Sequence, residues 1–300
     1  MPEAIRPFRS ALVLATTLTL IASGCASLDT LQREAIFQPP TAERIASNRW
    51  LNETPEAVEQ YDLALANGDK IHTWYLPGDE PDAPTVLYLH GARWNLNGSA
   101  FRMNRWRELG FAVLAIDYRG FGKSTALLPS ERTAAEDVDA AFAELARRQP
   151  DPTKRWVHGH SLGGALAVDL ATREDRFAGL IVESSFTSIR DMLRETRWGW
   201  IPLLPLMLTQ EFDSLSKMPR LSVPTMFVHG TEDRYVPAWM SERLYNAARA
   251  TRDGVRRLVK IDGASHSNAS VSGGQTYLTA LREFITAASP SLPNAVSVAQ

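Results

Sequence analysis

The sequence has little with which to cross-link itself or to attract charged partners. It contains one cysteine in 300 residues, Cys25, so no disulfide can form within the chain. Its formal net charge is −2 at pH 7, which gives no basic surface for nucleic acid. No His, Cys or carboxylate group has metal-ligand spacing, so neither a metal ion nor a cofactor is implied. No apolar run reaches the roughly 20 residues that a membrane-spanning helix needs.

What is present is the composition of an ordinary globular protein, 44% hydrophobic and 22% charged. Apolar strand-like runs alternate with helical patterns across residues 57–288. This alternation predicts an α/β fold, a doubly wound and mostly parallel sheet covered by helices on both faces. Asn67-Gly68 lies between two strand-like runs at the start and predicts a hairpin.

The chain begins with the parts of a secretory signal. Arg6 and Arg9 precede an uncharged run over residues 11–22, and small residues follow it. The end of this run, Gly24-Cys25, resembles a bacterial lipobox. That resemblance implies a signal peptide over 1–24, cleavage before Cys25, lipidation of Cys25, and a place in the cell envelope facing the periplasm, weakly favouring the outer membrane. The alternative is a soluble periplasmic protein whose cysteine is there by chance.

Two stretches flank the domain. Residues 25–56 are interpreted as a tether and lead-in because Pro39-Pro40 and Pro55 interrupt them. Residues 289–300 are interpreted as a flexible tail.

The most informative stretch is Gly159-His160-Ser161-Leu162-Gly163, which fits the G-x-S-x-G nucleophile elbow. A strand-like run precedes it and a helical pattern follows it. In this context a serine lies on a sharp turn, and the flanking glycines remove side chains that would clash. The backbone N–H of Leu162 then lies at a helix N-terminus, where negative charge is stabilised.

Three other candidates directly follow predicted strands. His90-Gly91 begins a loop in which the N–H of Ala92, or alternatively of Arg93, could donate with that of Leu162 to an oxyanion. Asp233 and His266 each follow a later strand. Because parallel strands end at one edge of a sheet, these residues are expected to meet Ser161 there. Their order Ser, Asp, His is that of α/β hydrolases.

Taken together, these motifs resemble the α/β-hydrolase superfamily, in particular bacterial serine aminopeptidase-like and lipoprotein-anchored members. The resemblance covers residues 57–288 and implies Ser161 as nucleophile, His266 as base and Asp233 as its orienting acid. The chemistry agrees, because a serine hydroxyl needs a neighbouring base and a histidine titrates near neutrality.

Some assignments remain open from the sequence. Glu183 also ends a strand and is an alternative acid. His90, His158, His160 and His229 border glycine turns and are interpreted as structural.

Residues 187–217 interrupt the alternation and predict a small helical cap. Trp198, Trp200 and Leu203 are its substrate-contact candidates. The cap either binds an acyl chain or faces a membrane, or it simply packs on the core.

The expected function is hydrolysis of carboxylic esters or thioesters with a small-molecule or lipid-like acyl group, through an acyl-enzyme on Ser161. An amide- or peptide-cleaving enzyme is the first alternative. A catalytically idle envelope scaffold is the second, because a fold does not settle activity.

Overall fold

A computed structural model describes residues 26–41, 43–44, 54–55, 57–249 and 251–290. The predicted signal peptide, the lipidation candidate Cys25 and residues 291–300 of the predicted tail lie outside these ranges. Among the described residues, no helix combines the length and the apolar character that a membrane span requires.

Eight strands in the described part of the chain form one sheet. In chain order they are β1 (Glu59–Ala64), β2 (Lys70–Leu76), β3 (Thr85–Leu89), β4 (Ala112–Ile116), β5 (Arg155–His160), β6 (Gly179–Glu183), β7 (Thr225–Gly230) and β8 (Arg256–Ile261). Their order across the sheet is β1-β2-β4-β3-β5-β6-β7-β8. The first two strands pair antiparallel with their neighbours, and all later pairs are parallel. The predicted mostly parallel α/β sheet is confirmed.

The hairpin between β1 and β2 closes as its sequence predicts. Gly68 has φ +88°, a left-handed conformation that glycine adopts without steric penalty. The N–H of Leu65 donates to the carbonyl of Asp69 at 2.8 Å.

Helices cover both faces of the sheet. In chain order they are α1 (residues 26–37), α2 (Leu96–Arg107), α3 (Glu131–Arg148), α4 (Leu162–Ala171), α5 (Ile189–Arg194), α6 (Ser214–Lys217), α7 (Trp239–Ala247), α8 (Ala269–Ser272) and α9 (Gly274–Ala288). Side chains of α3, α4 and α7 pack on one face, and those of α2 and α9 on the other. The central strands β3 to β6 are buried on both faces, which explains the mostly apolar sequences of β3, β4 and β6.

The register of the central strands aligns their carboxyl ends. Leu89 is paired with Gly159, and Gly159 with Val182. The loops that leave β3, β5, β6, β7 and β8 therefore emerge at one edge of the sheet.

The structure differs from the sequence interpretation over residues 26–37. These residues are helical and pack against the domain instead of forming part of a free tether. Phe37 at the end of α1 is completely buried, with its ring 5.8 Å from that of Phe212 and 6.5 Å from that of Phe121. The guanidinium of Arg33 donates to the backbone carbonyls of Leu128 and Pro129.

Packing of α1 is expected to contribute to the stability of the whole domain. Phe37→Ala should lower the free energy of unfolding by about 3–5 kcal/mol, because it leaves a cavity among aromatic rings. Leu31→Ala, at a position of α1 that is 62% exposed, serves as the control and should change it by less than about 0.5 kcal/mol. Urea unfolding followed by fluorescence measures both. If both substitutions lowered the free energy of unfolding equally and only slightly, α1 would not be packed as part of the folded domain.

Candidate active site

Ser161 lies on the tight turn between β5 and α4. Its backbone has φ +55° and ψ −117°, a strained conformation for a residue with a side chain. The turn has no room for larger neighbours, because a Cβ on Gly159 would collide with the Gly163 carbonyl and one on Gly163 with the Leu89 carbonyl. This crowding explains both glycines of the motif.

The turn is also held by hydrogen bonds from the next strand. The N–H of Ser161 donates to the Glu183 carbonyl at 2.8 Å, and the hydroxyl of Ser185 donates to the Ser161 carbonyl at 2.8 Å. These contacts fix the direction in which the Ser161 side chain leaves the sheet.

The structure brings Ser161, His266 and Asp233 into one hydrogen-bonded chain. His266 Nε2 lies 3.0 Å from Ser161 Oγ, and His266 Nδ1 lies 2.7 Å from Asp233 Oδ2. An ionised carboxylate can only accept, so Nδ1 carries the proton and Nε2 presents its lone pair to the serine hydroxyl. This tautomer is the one that lets an imidazole take a proton from serine.

The carboxylate of Asp233 is buried and well supplied with donors. Its Oδ1 accepts from the backbone N–H groups of Tyr235 and Val236, each at 2.9 Å. Burial by itself raises the pKa of Asp233, but hydrogen bonds from His229 and His266 outweigh burial and hold this pKa below its ordinary value. Asp233 is therefore ionised at neutral pH.

His229 is the supporting residue of this carboxylate. Its Nε2 lies 3.1 Å from Asp233 Oδ2 and 2.9 Å from the Val236 carbonyl, and its Nδ1 lies 2.6 Å from Ser241 Oγ. These contacts agree with the interpretation of His229 as a structural histidine. What the sequence did not reveal is that His229 contacts Asp233 directly.

Glu183, the alternative acid, is committed elsewhere. This fully buried carboxylate accepts from Arg102 Nε at 3.0 Å and from the hydroxyl of Tyr277 at 2.8 Å. His158 Nε2 lies 3.3 Å from Glu183 Oε2, the oxygen that also accepts from Tyr277. No hydrogen bond joins Glu183 to His266 among the described residues, so the geometry favours Asp233.

The remaining histidines support loops. His160 Nε2 donates to the backbone carbonyl of His266 at 2.9 Å, and burial holds the pKa of His160 well below its ordinary value. His90 Nδ1 donates to the Gly91 carbonyl at 2.8 Å. Asp117 Oδ1 accepts from the N–H of Leu96 at 2.9 Å. The contacts of His90 and Asp117 stabilise the loop that carries Ala92, and that of His160 stabilises the loop of His266.

The two possible oxyanion donors on this loop differ in their contacts. The N–H of Arg93 donates to the Phe37 carbonyl at 3.1 Å and is not available. Within the described ranges no acceptor is found for the N–H of Ala92 or of Leu162, and the latter belongs to the first turn of α4. The geometry favours Ala92 over Arg93.

Beside Ser161 lies a cavity of about 480 Å³. Its walls come from α1 and the residues after it, the loop after β3, the cap and the loops of Asp233 and His266. Among its lining residues are Gln32, Ala35, Ile36, Gln38, Arg44, Ala92, Arg93, Trp94, Phe186, Ile189, Met192, Leu193, Thr196, Leu208, Tyr235 and Val236. Another cavity of about 500 Å³, between α1, α3 and α4, contains none of Ser161, Asp233 and His266.

The cap contributes to this cavity through residues other than those predicted. Trp198, Trp200 and Leu203 are 48%, 77% and 68% exposed and do not line it. The lining positions 189, 192, 193 and 196 instead follow the i, i+3, i+4, i+7 spacing of one helical face of α5 and its C-terminal turn. Within the segment predicted as a cap, the cavity is therefore lined by residues of α5 and its C-terminal turn, not by the three predicted contact residues.

Within the described ranges, no cluster of three or more His, Cys, Asp or Glu side chains is placed to hold a metal ion.

The fold and this arrangement define an α/β hydrolase. Residues 80–215 match the family described as Hydrolase_4, serine aminopeptidase S33. An uncharacterized protein of Mycobacterium tuberculosis is 30% identical over 278 residues, covering 92% of this chain and 95% of that protein. The chain therefore belongs to the α/β-hydrolase superfamily, and within it residues 80–215 match the serine aminopeptidase S33 family.

Two further similarities are informative. The lysophosphatidylserine lipase ABHD12 of Rattus norvegicus is 31% identical over 202 residues, 61% of this chain and 50% of that protein. The structure of the Pyrococcus furiosus esterase Pf2001 superposes with a TM-score of 0.64 at 17% identity, covering 77% of this chain and 92% of that chain. At this identity the second match concerns the fold alone.

Proposed function

We propose that the protein is a serine hydrolase that works through an acyl-enzyme on Ser161. The observation that carries this proposal is the hydrogen-bonded chain from Ser161 Oγ through His266 to the ionised Asp233. His266 takes the hydroxyl proton as Ser161 attacks the acyl carbonyl, and the N–H groups of Ala92 and Leu162 stabilise the oxyanion.

The second half of the reaction uses the same groups. His266 returns its proton to the departing alcohol or thiol, which leaves Ser161 acylated. A water molecule then gives a proton to His266 and attacks the acyl carbon. The bond from this carbon to Ser161 Oγ breaks, His266 returns the proton to Oγ, and the carboxylic acid is released.

The substrate class is a carboxylic ester or thioester with an apolar acyl group. The apolar side chains of Ile189, Met192, Leu193 and Leu208 in the cavity support this choice, as does the name of the lipase to which the chain is similar. Amide or peptide cleavage is the second candidate, because the matching family is described as a serine aminopeptidase.

Replacing Ser161, His266 or Asp233 is expected to reduce probe labelling or turnover to different degrees. Ser161→Ala should abolish labelling by a fluorophosphonate probe, because it removes the hydroxyl that lies 3.0 Å from His266 Nε2. His266→Ala should nearly abolish it, and Asp233→Asn should lower turnover by ~10⁴. Ser216→Ala, at an exposed serine of α6, is the control and should label as the wild type does.

Two outcomes would contradict this proposal. An unlabelled wild-type protein under native conditions would favour the idle scaffold. Persistent labelling of Ser161→Ala would mean that another residue is the nucleophile.

Acyl-chain preference is expected to depend on α5 and not on the exposed tryptophans. Met192→Trp should fill the cavity and shorten the preferred chain, with about a fourfold loss in kcat/KM for each excluded methylene. Trp200→Ala should leave the profile unchanged because Trp200 does not line the cavity. Rates on soluble esters of graded length measure both, and a shift in Trp200→Ala alone would contradict this assignment.

We also propose that the protein works at a bacterial envelope membrane, facing the periplasm, anchored through lipidated Cys25. The exposed apolar side chains of the cap, Trp198, Trp200, Leu203, Leu206 and Met207, support this location. Gln32 of α1 donates to the Met207 carbonyl at 2.8 Å and accepts from the N–H of Thr209 at 2.8 Å. Because α1 directly follows Cys25, a lipid there would hold this apolar surface toward the bilayer.

The anchor is tested on the mature protein isolated from a bacterial membrane fraction. Mass analysis should find an N-terminus at Cys25 with the mass of attached acyl chains, and Cys25→Ser should move the protein to the soluble periplasmic fraction. An unmodified Cys25, or cleavage at another position, would rule the anchor out.

A further inference from the structure

Arg93 is held in an unusual position beside the proposed nucleophile. It follows Ala92 on the loop after β3 and has φ +66°, which is strained for a residue with a side chain. Its N–H donates to the Phe37 carbonyl at 3.1 Å and its Nε to Gln38 Oε1 at 2.8 Å. These two contacts with the end of α1 fix the side chain at the wall of the Ser161 cavity.

The charge of Arg93 has no counter-ion in the described part of the chain. Its side-chain contacts are the neutral amide of Gln38 and the face of the Tyr235 ring, 5.7 Å from Cζ. Among the described residues, the cavity lining also includes Arg44 but no Asp or Glu. A partly buried arginine normally pairs with an anion, because removing charge from water is unfavourable. The N–H groups on both Nη atoms of Arg93 remain as donors for a ligand.

The position of Arg93 indicates which part of a substrate it would meet. The Tyr235 ring lies 5.7 Å from the ring of His266 and also contacts the guanidinium of Arg93. His266 protonates the leaving group, so the leaving group lies on this side of the acyl carbon. The apolar side chains of α5 are available to the acyl chain.

We propose that the site selects carboxylic esters whose leaving group carries an anion, a phosphate or a carboxylate, which the Nη groups of Arg93 bind. Arg93 is thus a specificity-determining residue. A planar guanidinium matches both anions through paired hydrogen bonds. The inference rests on the proposed serine hydrolase and names the chemistry of its substrate.

The test compares soluble esters that share one acyl chain. Hexanoyl glycerol has a neutral leaving group, whereas hexanoyl glycerol 3-phosphate and hexanoyl lactate have anionic ones. The wild-type protein should hydrolyse at least one anionic ester with a kcat/KM roughly tenfold or more above the neutral ester, as expected for a charged hydrogen bond. Repeating the series with dodecanoyl esters distinguishes a lipid from a small soluble ester.

Substitution at Arg93 then assigns the preference to this side chain. Arg93→Gln should remove the preference, lowering kcat/KM for the anionic ester by roughly tenfold more than kcat/KM for hexanoyl glycerol. Arg93→Lys should keep part of it, because the charge remains and the paired geometry is lost. Arg176→Gln removes an exposed arginine outside the cavity and should behave as wild type on all esters.

The outcomes separate the two proposals. Equal rates on neutral and anionic esters, or an equal loss on both in Arg93→Gln with fluorophosphonate labelling intact, would refute anion selection and leave the hydrolase standing. No hydrolysis of any ester together with no labelling would refute the hydrolase, and the inference with it.

Discussion

The backbone of Ser161, at φ +55° and ψ −117°, is stabilised by neighbours on three central strands. On the β3 side, Gly163 packs against the Leu89 carbonyl. On the β6 side, Ser161 donates its N–H to the Glu183 carbonyl and accepts from the Ser185 hydroxyl. Such strain persists only where the surroundings over-determine it. The position of the serine hydroxyl therefore depends on correct pairing of the whole centre of the sheet.

Two carboxylates at neighbouring strand ends show how environment divides roles between similar groups. Asp233 and Glu183 are both buried, and in both hydrogen bonds or opposite charge outweigh the effect of burial on the pKa. The carboxylate of Glu183 accepts hydrogen bonds from Arg102 and Tyr277 and is buried in the core. Asp233 leaves one oxygen to His266 while backbone N–H groups hold the other. Partners, and not residue type, distinguish the two.

Much of this arrangement could be predicted from local patterns. Continuous apolar strands, a hairpin at Asn67-Gly68 and a glycine-flanked Ser161 each reflect constraints that act within a few residues. The meeting of Ser161, Asp233 and His266 was predictable because parallel strands place their carboxyl ends at one edge. The sequence favoured Asp233 over Glu183 and Ala92 over Arg93 as donor, but it did not show the contacts that decide these two choices. Both depend on partners distant in the sequence, Arg102 for one and Phe37 for the other.

The walls of the cavity were decided by the tertiary structure alone. The sequence determined that residues 187–217 would interrupt the alternation, but only folding turned the α5 face inward and left Trp198, Trp200 and Leu203 in solvent. Likewise, the sequence predicted a lead-in over the segment 26–37, whereas the structure packs Phe37 of this helix among aromatic rings of the core. Hydrophobic burial has no direction, so apolar residues do not by themselves specify their neighbours. The position of Arg93 at the cavity wall, where no counter-ion is found among the described residues, arises in the same way, from where α1 packs.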